Sequence, residues 1–324
     1  MRDGQNLLGE DPAFLAVLEQ ISHLAGLDKP CLVIGERGSG KEMIAERLHY
    51  LSKRWDGPCL KVNCAALTPS LLESELFGHE AGAFTGAEGR HLGRFERADG
   101  GTLILDEIAT AQPATQEKIL RVLEYGEFER VGGSETLTVD VRVVGVTNVD
   151  LPKLAQEGLF RADLLDRLAF DVVNVPPLRA RPSDILPLAR AFALEMTREL
   201  ERPLFPGFTR EAETALLGHR WPGNIRELKN AVERSVHRHG SLDDPLETIV
   251  FDPFASPWRD GMDEETPLPS DTPLPEDFRR AVDGFEKELL VKALAVTRHN
   301  QTEAAKRLNL GYHQFRRLIK KHNL

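Results

Sequence analysis

The stretch Gly35-Glu36-Arg37-Gly38-Ser39-Gly40-Lys41-Glu42 decides how this chain reads. It follows the apolar run Cys31-Leu-Val-Ile and precedes the helical spacing of Met43, Ile44 and Leu48. A glycine-rich turn between a strand and a helix lets backbone N–H groups curl round phosphate oxygens. The helix N-terminus adds positive potential there, and a lysine such as Lys41 reaches the β and γ oxygens. Glu42 departs from the usual pattern, in which a Ser or Thr hydroxyl meets Mg²⁺, so metal binding must lean on other ligands. Further along, Gly100-Gly-Thr-Leu-Ile-Leu-Asp106-Glu107 is an apolar strand ending in two carboxylates. Asp106 suits a Mg²⁺ ligand, directly or through water, and Glu107 suits the orientation of an attacking water. Phosphoryl transfer depends mainly on positioning and on neutralising charge, so the two motifs together predict nucleotide hydrolysis.

Outward from these motifs, short β-branched runs alternate with helical patterns from Pro30 to about Val175, as in Thr102-Leu-Ile-Leu and Val141-Arg-Val-Val-Gly-Val. That alternation predicts an α/β fold, a parallel sheet covered by helices, over residues 1–175. After Pro176-Pro177 the strands stop, and residues 176–251 read as a helical lid. Residues 252–276 hold six prolines and seven acidic side chains, too few large apolar groups to fold alone, and read as a linker. Val282, Phe285, Leu289 and Ala293 then recur at helical spacing and open a last all-α domain over 277–324.

The formal net charge of −10 hides an asymmetry. Residues 285–324 carry nine Lys/Arg against three Asp/Glu, so only the tail is suited to a polyanion. No apolar run is long enough for a membrane helix and no signal peptide is visible. The three cysteines, without metal spacing, read as reduced thiols of a cytoplasmic protein.

The segment Glu75-Leu-Phe-Gly-His-Glu-Ala followed by Gly82-Ala83-Phe84-Thr85-Gly86-Ala87 carries a specific resemblance. Small residues frame one aromatic and one hydroxyl, a composition suited to a mobile protruding loop. The segment resembles the bacterial enhancer-binding proteins, AAA+ P-loop ATPases that activate RNA polymerase carrying sigma-54. The likeness runs from Leu7-Leu8-Gly9 to Leu324 and is closest to the phage shock branch. It implies ATP as the nucleotide, Mg²⁺ as the metal, and Phe84 and Thr85 as the tip that engages the sigma-54 factor. It further implies that Asn63 is a switch restraining Glu107, Asn148 the first sensor, and Arg226 in Trp221-Pro-Gly-Asn-Ile-Arg the second sensor. Arg161 and Arg167 would be arginine fingers reaching into a neighbour's site, which requires a ring, a homo-hexamer in this family. By residue chemistry alone those arginines read as solvated ion pairs with Asp163 and Asp166.

At the C-terminal end, Asn300-Gln-Thr-Glu303 can cap a short helix with Ala304, Ala305 and Leu308 on its apolar face. Asn309-Leu-Gly311 makes a turn. In the next helix Phe315, Leu318 and Ile319 share one face, leaving His313, Gln314, Arg316, Arg317, Lys320 and Lys321 free. This is helix-turn-helix patterning, with a second helix for the major groove, and the resemblance implies a Fis-type domain bound to enhancer DNA. His313, Gln314 and Arg316 are placed for base edges, and the lysines for phosphate. A basic hairpin for protein contact is the competing reading. Phe285, Leu289 and Ala293 would form a dimerisation helix.

The ATPase pattern begins by Leu7, leaving no room for the sensory domain most relatives carry, so control is expected from a separate protein. The resemblance implies phage shock protein A, a negative regulator. Trp55, in the polar stretch Ser52-Lys-Arg-Trp-Asp-Gly-Pro, could anchor it or could simply pack on the domain edge.

Overall fold

The computed structural model describes residues 7–84, 86–240, 243–254, 277–297, 300–322 and 324. The chain forms two compact units, divided between Phe254 and Ala255. The first begins with helix α1 (Pro12–Ala25), capped by the Asp11 carboxylate, and strand β1 (Cys31–Ile34). Helix α2 (Lys41–Tyr50), strand β2 (Cys59–Asn63), helices α3 (Pro69–Phe77) and α4 (Arg94–Arg97) and strand β3 (Thr102–Asp106) follow. Helix α5 (Pro113–Tyr125) leads to an antiparallel hairpin, β4 (Glu127–Glu129) and β5 (Thr136–Thr138). Strand β6 (Arg142–Thr147), helices α6 (Leu151–Gln156) and α7 (Ala162–Leu168) and strand β7 (Val172–Asn174) complete the α/β part.

Five strands make one parallel sheet in the order β2–β3–β6–β1–β7. Both faces are covered, which is why the strands read as continuous apolar runs rather than alternating ones. Successive side chains still point to opposite faces. Leu32, Leu103, Leu105 and Val143 pack on one side with Phe77, Phe95, Ile119 and Leu164. Cys31, Val33, Ile104, Val144 and Val146 pack on the other with Phe14, Ile21, Ile44 and Leu48. Burial pushes the Cys31 thiol up to about 11 and the Cys64 thiol up to about 12, so both stay protonated and inert at neutral pH.

Beyond Val175 come two short 3₁₀ turns, then helices α8 (Ile185–Glu199), α9 (Arg210–Gly218) and α10 (Asn224–Arg238). Their core closes on Trp221, which is fully buried and donates its indole N–H to Leu216 O at 2.9 Å. The second unit holds helices α11 (Phe278–Val296), α12 (Gln301–Arg307) and α13 (Tyr312–Lys321). Leu290, Leu294, Ala304, Ala305, Phe315 and Ile319 form its small core. The linker expected at 252–276 lies outside the described residues from 255 on. Among the described residues, no helix is long and apolar enough to cross a membrane.

Trp221→Ala is expected to destabilise the lid by ~3–5 kcal/mol through the cavity it leaves. Denaturant unfolding followed on the lid measures this, and an unchanged midpoint would contradict the placement of Trp221 at the lid's centre.

Candidate functional site

Four strand ends converge at one edge of the sheet, where open α/β folds bind ligands. β1 ends in the loop Gly35–Gly40, β3 in Asp106 and Glu107, β2 in Asn63, and β6 leads into Asn148. Lys41 is 7% exposed at the first turn of α2 and donates to Glu36 O at 2.9 Å. Burial lowers its pKa, opposed by the nearby Glu107 and Asp106 carboxylates. Asp106 is raised above its ordinary value, first by burial and then by the charge of Glu107. Two adjacent carboxylates that repel each other here fit a site completed by a cation. The Ser39 hydroxyl is buried and without a hydrogen-bond partner among the described residues.

Asn63 differs from the sequence expectation. Its amide donates to Asp106 Oδ2 at 3.0 Å, and its carbonyl accepts from Ala65 N and Ala66 N. The reason is register: Asn63 stands directly across from Asp106 on paired strands. Glu107, one residue on, has a left-handed backbone at φ 51° that turns it toward a different amide. With its nitrogen facing the acid, Asn148 donates to Glu107 Oε2 at 2.9 Å and accepts from Arg37 Nε at 3.1 Å.

The lid closes over the outside of the phosphate loop. Arg179 forks onto the Glu36 carboxylate at 2.8 and 2.5 Å, and Asn224 Nδ2 reaches the same carboxylate at 3.1 Å. Arg179, then Asn224, hold the Glu36 carboxyl down to about 2. Gly38 has φ 74°, and a Cβ there would lie 2.3 Å from Gly223 O, so only glycine fits under the lid. Arg226 is exposed on α10. Arg161 is paired with Asp163 and Glu117, and Arg167 with Glu124 rather than Asp166. Arg167 is the more exposed of the two arginines.

The segment Gly82–Ala87 is a tight excursion closed by Gly82 N to Ala87 O at 2.8 Å. Gly82 and Gly86 adopt φ 81° and 102°, which side-chain-bearing residues resist. Phe84 is 42% exposed and rests edge-on against His79, with ring centroids 5.0 Å apart. Ala83 touches the turn after β4, where a Cβ on Gly132 would lie 2.7 Å from Ala83 Cβ. Thr85 lies outside the described residues. The root of the excursion is fastened by the buried Arg130 guanidinium, which bonds Glu80 at 2.9 Å and Glu96 at 2.6 Å.

In the second unit, Asn300 caps α12 by accepting from Thr302 N and Glu303 N, and Asn309 turns the chain at φ 52°. His313, Gln314, Arg316, Arg317 and Lys320 are exposed along α13, beside Tyr312. Lys321 is also exposed, but its ammonium bonds Asp283 at 2.8 Å and Glu286 at 2.7 Å. Residues 7–174 match the sigma-54 interaction domain, 179–243 an AAA+ ATPase lid domain, and 281–322 the Fis family of bacterial regulatory proteins. The chain belongs to the sigma-54 activator family. It is 63% identical over 98% of its length to the psp operon transcriptional activator of Escherichia coli, and covers 98% of that protein. It is 44% identical over 94% of its length to a Nif-specific regulatory protein of Azotobacter vinelandii, covering 56% of that protein. Among solved structures, NtrX of Brucella abortus in complex with ATP superposes with a TM-score of 0.70 at 32% identity. That match covers 98% of this chain and 70% of NtrX. The sigma-54 activator is thus an AAA+ ATPase that binds ATP and carries a DNA-binding helix-turn-helix.

No spacing in the sequence of this activator singled out Arg179, Asn224 or Arg130. Asn224 sits inside the quoted Trp-Pro-Gly-Asn-Ile-Arg, where an asparagine after Pro-Gly at a helix start was the available signal for the left-handed, buried position it takes. Trp55 is 63% exposed in the turn after α2, and Tyr50 and Leu51, four to five residues earlier, are exposed as well. The exposed indole disfavours simple edge packing.

In the sigma-54 activator, Asp106→Asn is expected to abolish ATP hydrolysis yet raise the melting temperature of nucleotide-free protein by ~2 °C. Folding raises this carboxyl's pKa, so its ionised form costs stability at neutral pH, and that cost fades as pH falls through the raised value. Calorimetry of both proteins decides; a lower melting temperature for the variant would contradict the assignment of strain to this pair.

Proposed function

We propose that this activator binds upstream enhancer DNA and uses ATP hydrolysis to convert closed complexes of sigma-54 RNA polymerase into open ones, at genes of the phage shock, membrane-stress type. The observation that carries this reading is the exposed Phe84 on the closed excursion Gly82–Ala87, beside a carboxylate pair each member of which is bonded to an asparagine. The psp operon activator of E. coli, so similar over nearly its whole length, supports the choice of target genes.

Lys41 and the loop Gly35, Glu36, Arg37, Gly38, Ser39, Gly40 cradle the triphosphate, with Glu42 at the start of α2. Asp106 would hold Mg²⁺, since Glu42 offers no hydroxyl and the carboxylate oxygens suit a hard cation, and the ion would supply neutralisation of the triphosphate's charge. Glu107 orients and polarises the attacking water, which adds to the γ-phosphorus as the bond to the ADP oxygen breaks. Asn148 senses that event at Glu107, and Asn63 senses it at Asp106. Arg226 reports it to the lid. Arg161 and Arg167 exchange their carboxylate partners for a neighbour's phosphate in a homo-hexameric ring. The chain divides into an ATPase part over 1–175, a lid over 176–251, a linker over 252–276 and a DNA-binding domain over 277–324, and the protein acts in the cytoplasm.

Phe84 and Thr85 contact sigma-54. His313, Gln314 and Arg316 read bases; Arg317, Lys320 and Lys321 meet phosphate, Lys321 after release from Asp283 and Glu286. Phage shock protein A docks at Trp55, because an exposed indole is a strong anchor for a partner.

Replacement of Thr85 by alanine is expected to leave ATP hydrolysis within about twofold and to abolish open-complex formation in a purified sigma-54 transcription assay. Open complexes formed at the normal rate would overturn the reading. Trp55→Ala is expected to keep both activities while losing inhibition by phage shock protein A; undiminished inhibition removes this residue from the docking surface.

A further inference from the structure

Three consecutive carbonyls on the outer rim of the phosphate loop accept from donors of the lid. Asn224 Nδ2 donates to Arg37 O at 3.1 Å, Ile225 N to Gly38 O at 3.0 Å, and Arg181 Nη2 to Ser39 O at 2.8 Å. In a planar trans peptide, the C=O of one residue and the N–H of the next point in opposite directions. Tying these carbonyls to the lid therefore turns the N–H groups of Gly38, Ser39 and Gly40 the other way. Ser39 N folds back on Glu36 O at 3.3 Å, which leaves the amides of Gly38 and Gly40 facing away from the lid. Those two glycines have φ 74° and 97°, the left-handed alternation that builds an anion-binding nest.

We propose that the lid sets the orientation of the phosphate-binding amides, and that Asn224 and Arg181 are positioning residues for the triphosphate that act through the loop's carbonyls. Both side chains are buried and braced from behind. Asn224 accepts from Leu178 N at 2.7 Å. Arg181 lies over the Phe14 ring at 4.7 Å and 3.8 Å from Asp184, whose other oxygen accepts from Glu10 N and Asp11 N. The segment before α1, the start of the lid and the phosphate loop are thus one connected set. Because Asn224, Ile225 and Arg181 all belong to the lid, rotation of the lid releases the three carbonyls together. The nest then loosens, and phosphate affinity follows lid position.

This inference rests on the phosphate-loop reading, and its test compares ATP with adenosine, which offers the base and ribose but no phosphate. Asn224→Asp keeps the acceptor for Leu178 N and the tolerance of a left-handed backbone, but loses the donor to Arg37 O. Arg181→Met keeps an apolar stem over Phe14 and loses the donor to Ser39 O. Calorimetric titration of the full chain is expected to show ATP binding ~10-fold or more weaker in each variant, with adenosine binding within ~2-fold of wild type. ATP affinity unchanged in both variants, or ATP and adenosine weakened in equal proportion, overturns the inference. Should Asn224→Asp fail to fold, Arg181→Met decides by the same comparison. Wild-type protein that binds adenosine as tightly as ATP would overturn the phosphate-loop reading itself.

Discussion

A protein that binds a triphosphate must keep several backbone N–H groups unpaired and aimed at one point, although unpaired backbone groups are costly wherever water is excluded. The turn between β1 and α2 meets that demand with left-handed glycines, a helix N-terminus and braces from outside the loop. Most of the nucleotide site follows from that constraint. Gly38 must lack a side chain because the lid carbonyl of Gly223 presses on it. Glu36 must stay ionised because Arg179 and Asn224 close on it. Burial of the Lys41 ammonium lowers its pKa, and the nearby Glu107 and Asp106 carboxylates oppose that cost.

The same edge of the sheet gathers the groups to which we assign the coupling of hydrolysis to motion. Asn63 and Asp106 are cross-strand neighbours, and Asn148 joins Glu107 to Arg37 of the phosphate loop. Single hydrogen bonds thus link the carboxylate pair to strand β2, to the loop after β6 and, through Arg37 and Asn224, to the lid. On the far side of α3, the excursion carrying Phe84 is fastened at Gly82–Ala87 and at Arg130. Its tip leans on His79 alone among the described ring contacts. A firmly rooted excursion that carries an exposed aromatic at Phe84 is suited to being displaced as a unit.

The fold was legible because its signals are local. Thr102-Leu-Ile-Leu-Asp reads as a doubly covered strand, Gly-Ser-Gly-Lys as a phosphate loop, and Asn300-Gln-Thr-Glu as a capped helix, each within a few residues. The contacts that organise the site are not local. Arg179 meets Glu36 across 143 positions and Asn224 meets Arg37 across 187, distances at which spacing carries no information. The partner of Asn63 depended on strand register, which a one-residue change would reverse. The ion pairs of Lys321 with Asp283 and Glu286 required the packing of α13 on α11, invisible in a pattern that showed only a free basic face.

The central claim is that nucleotide state at Asp106 and Glu107 displaces the Gly82–Ala87 protrusion relative to the ATPase body. Spin labels at Glu88, at the root of the protrusion, and at Glu19, on the outer face of α1, report that displacement directly. Distance distributions between them should differ between assembled protein held with a non-hydrolysable ATP analogue and the same protein with ADP. Superimposable distributions in protein that still hydrolyses ATP would contradict the account.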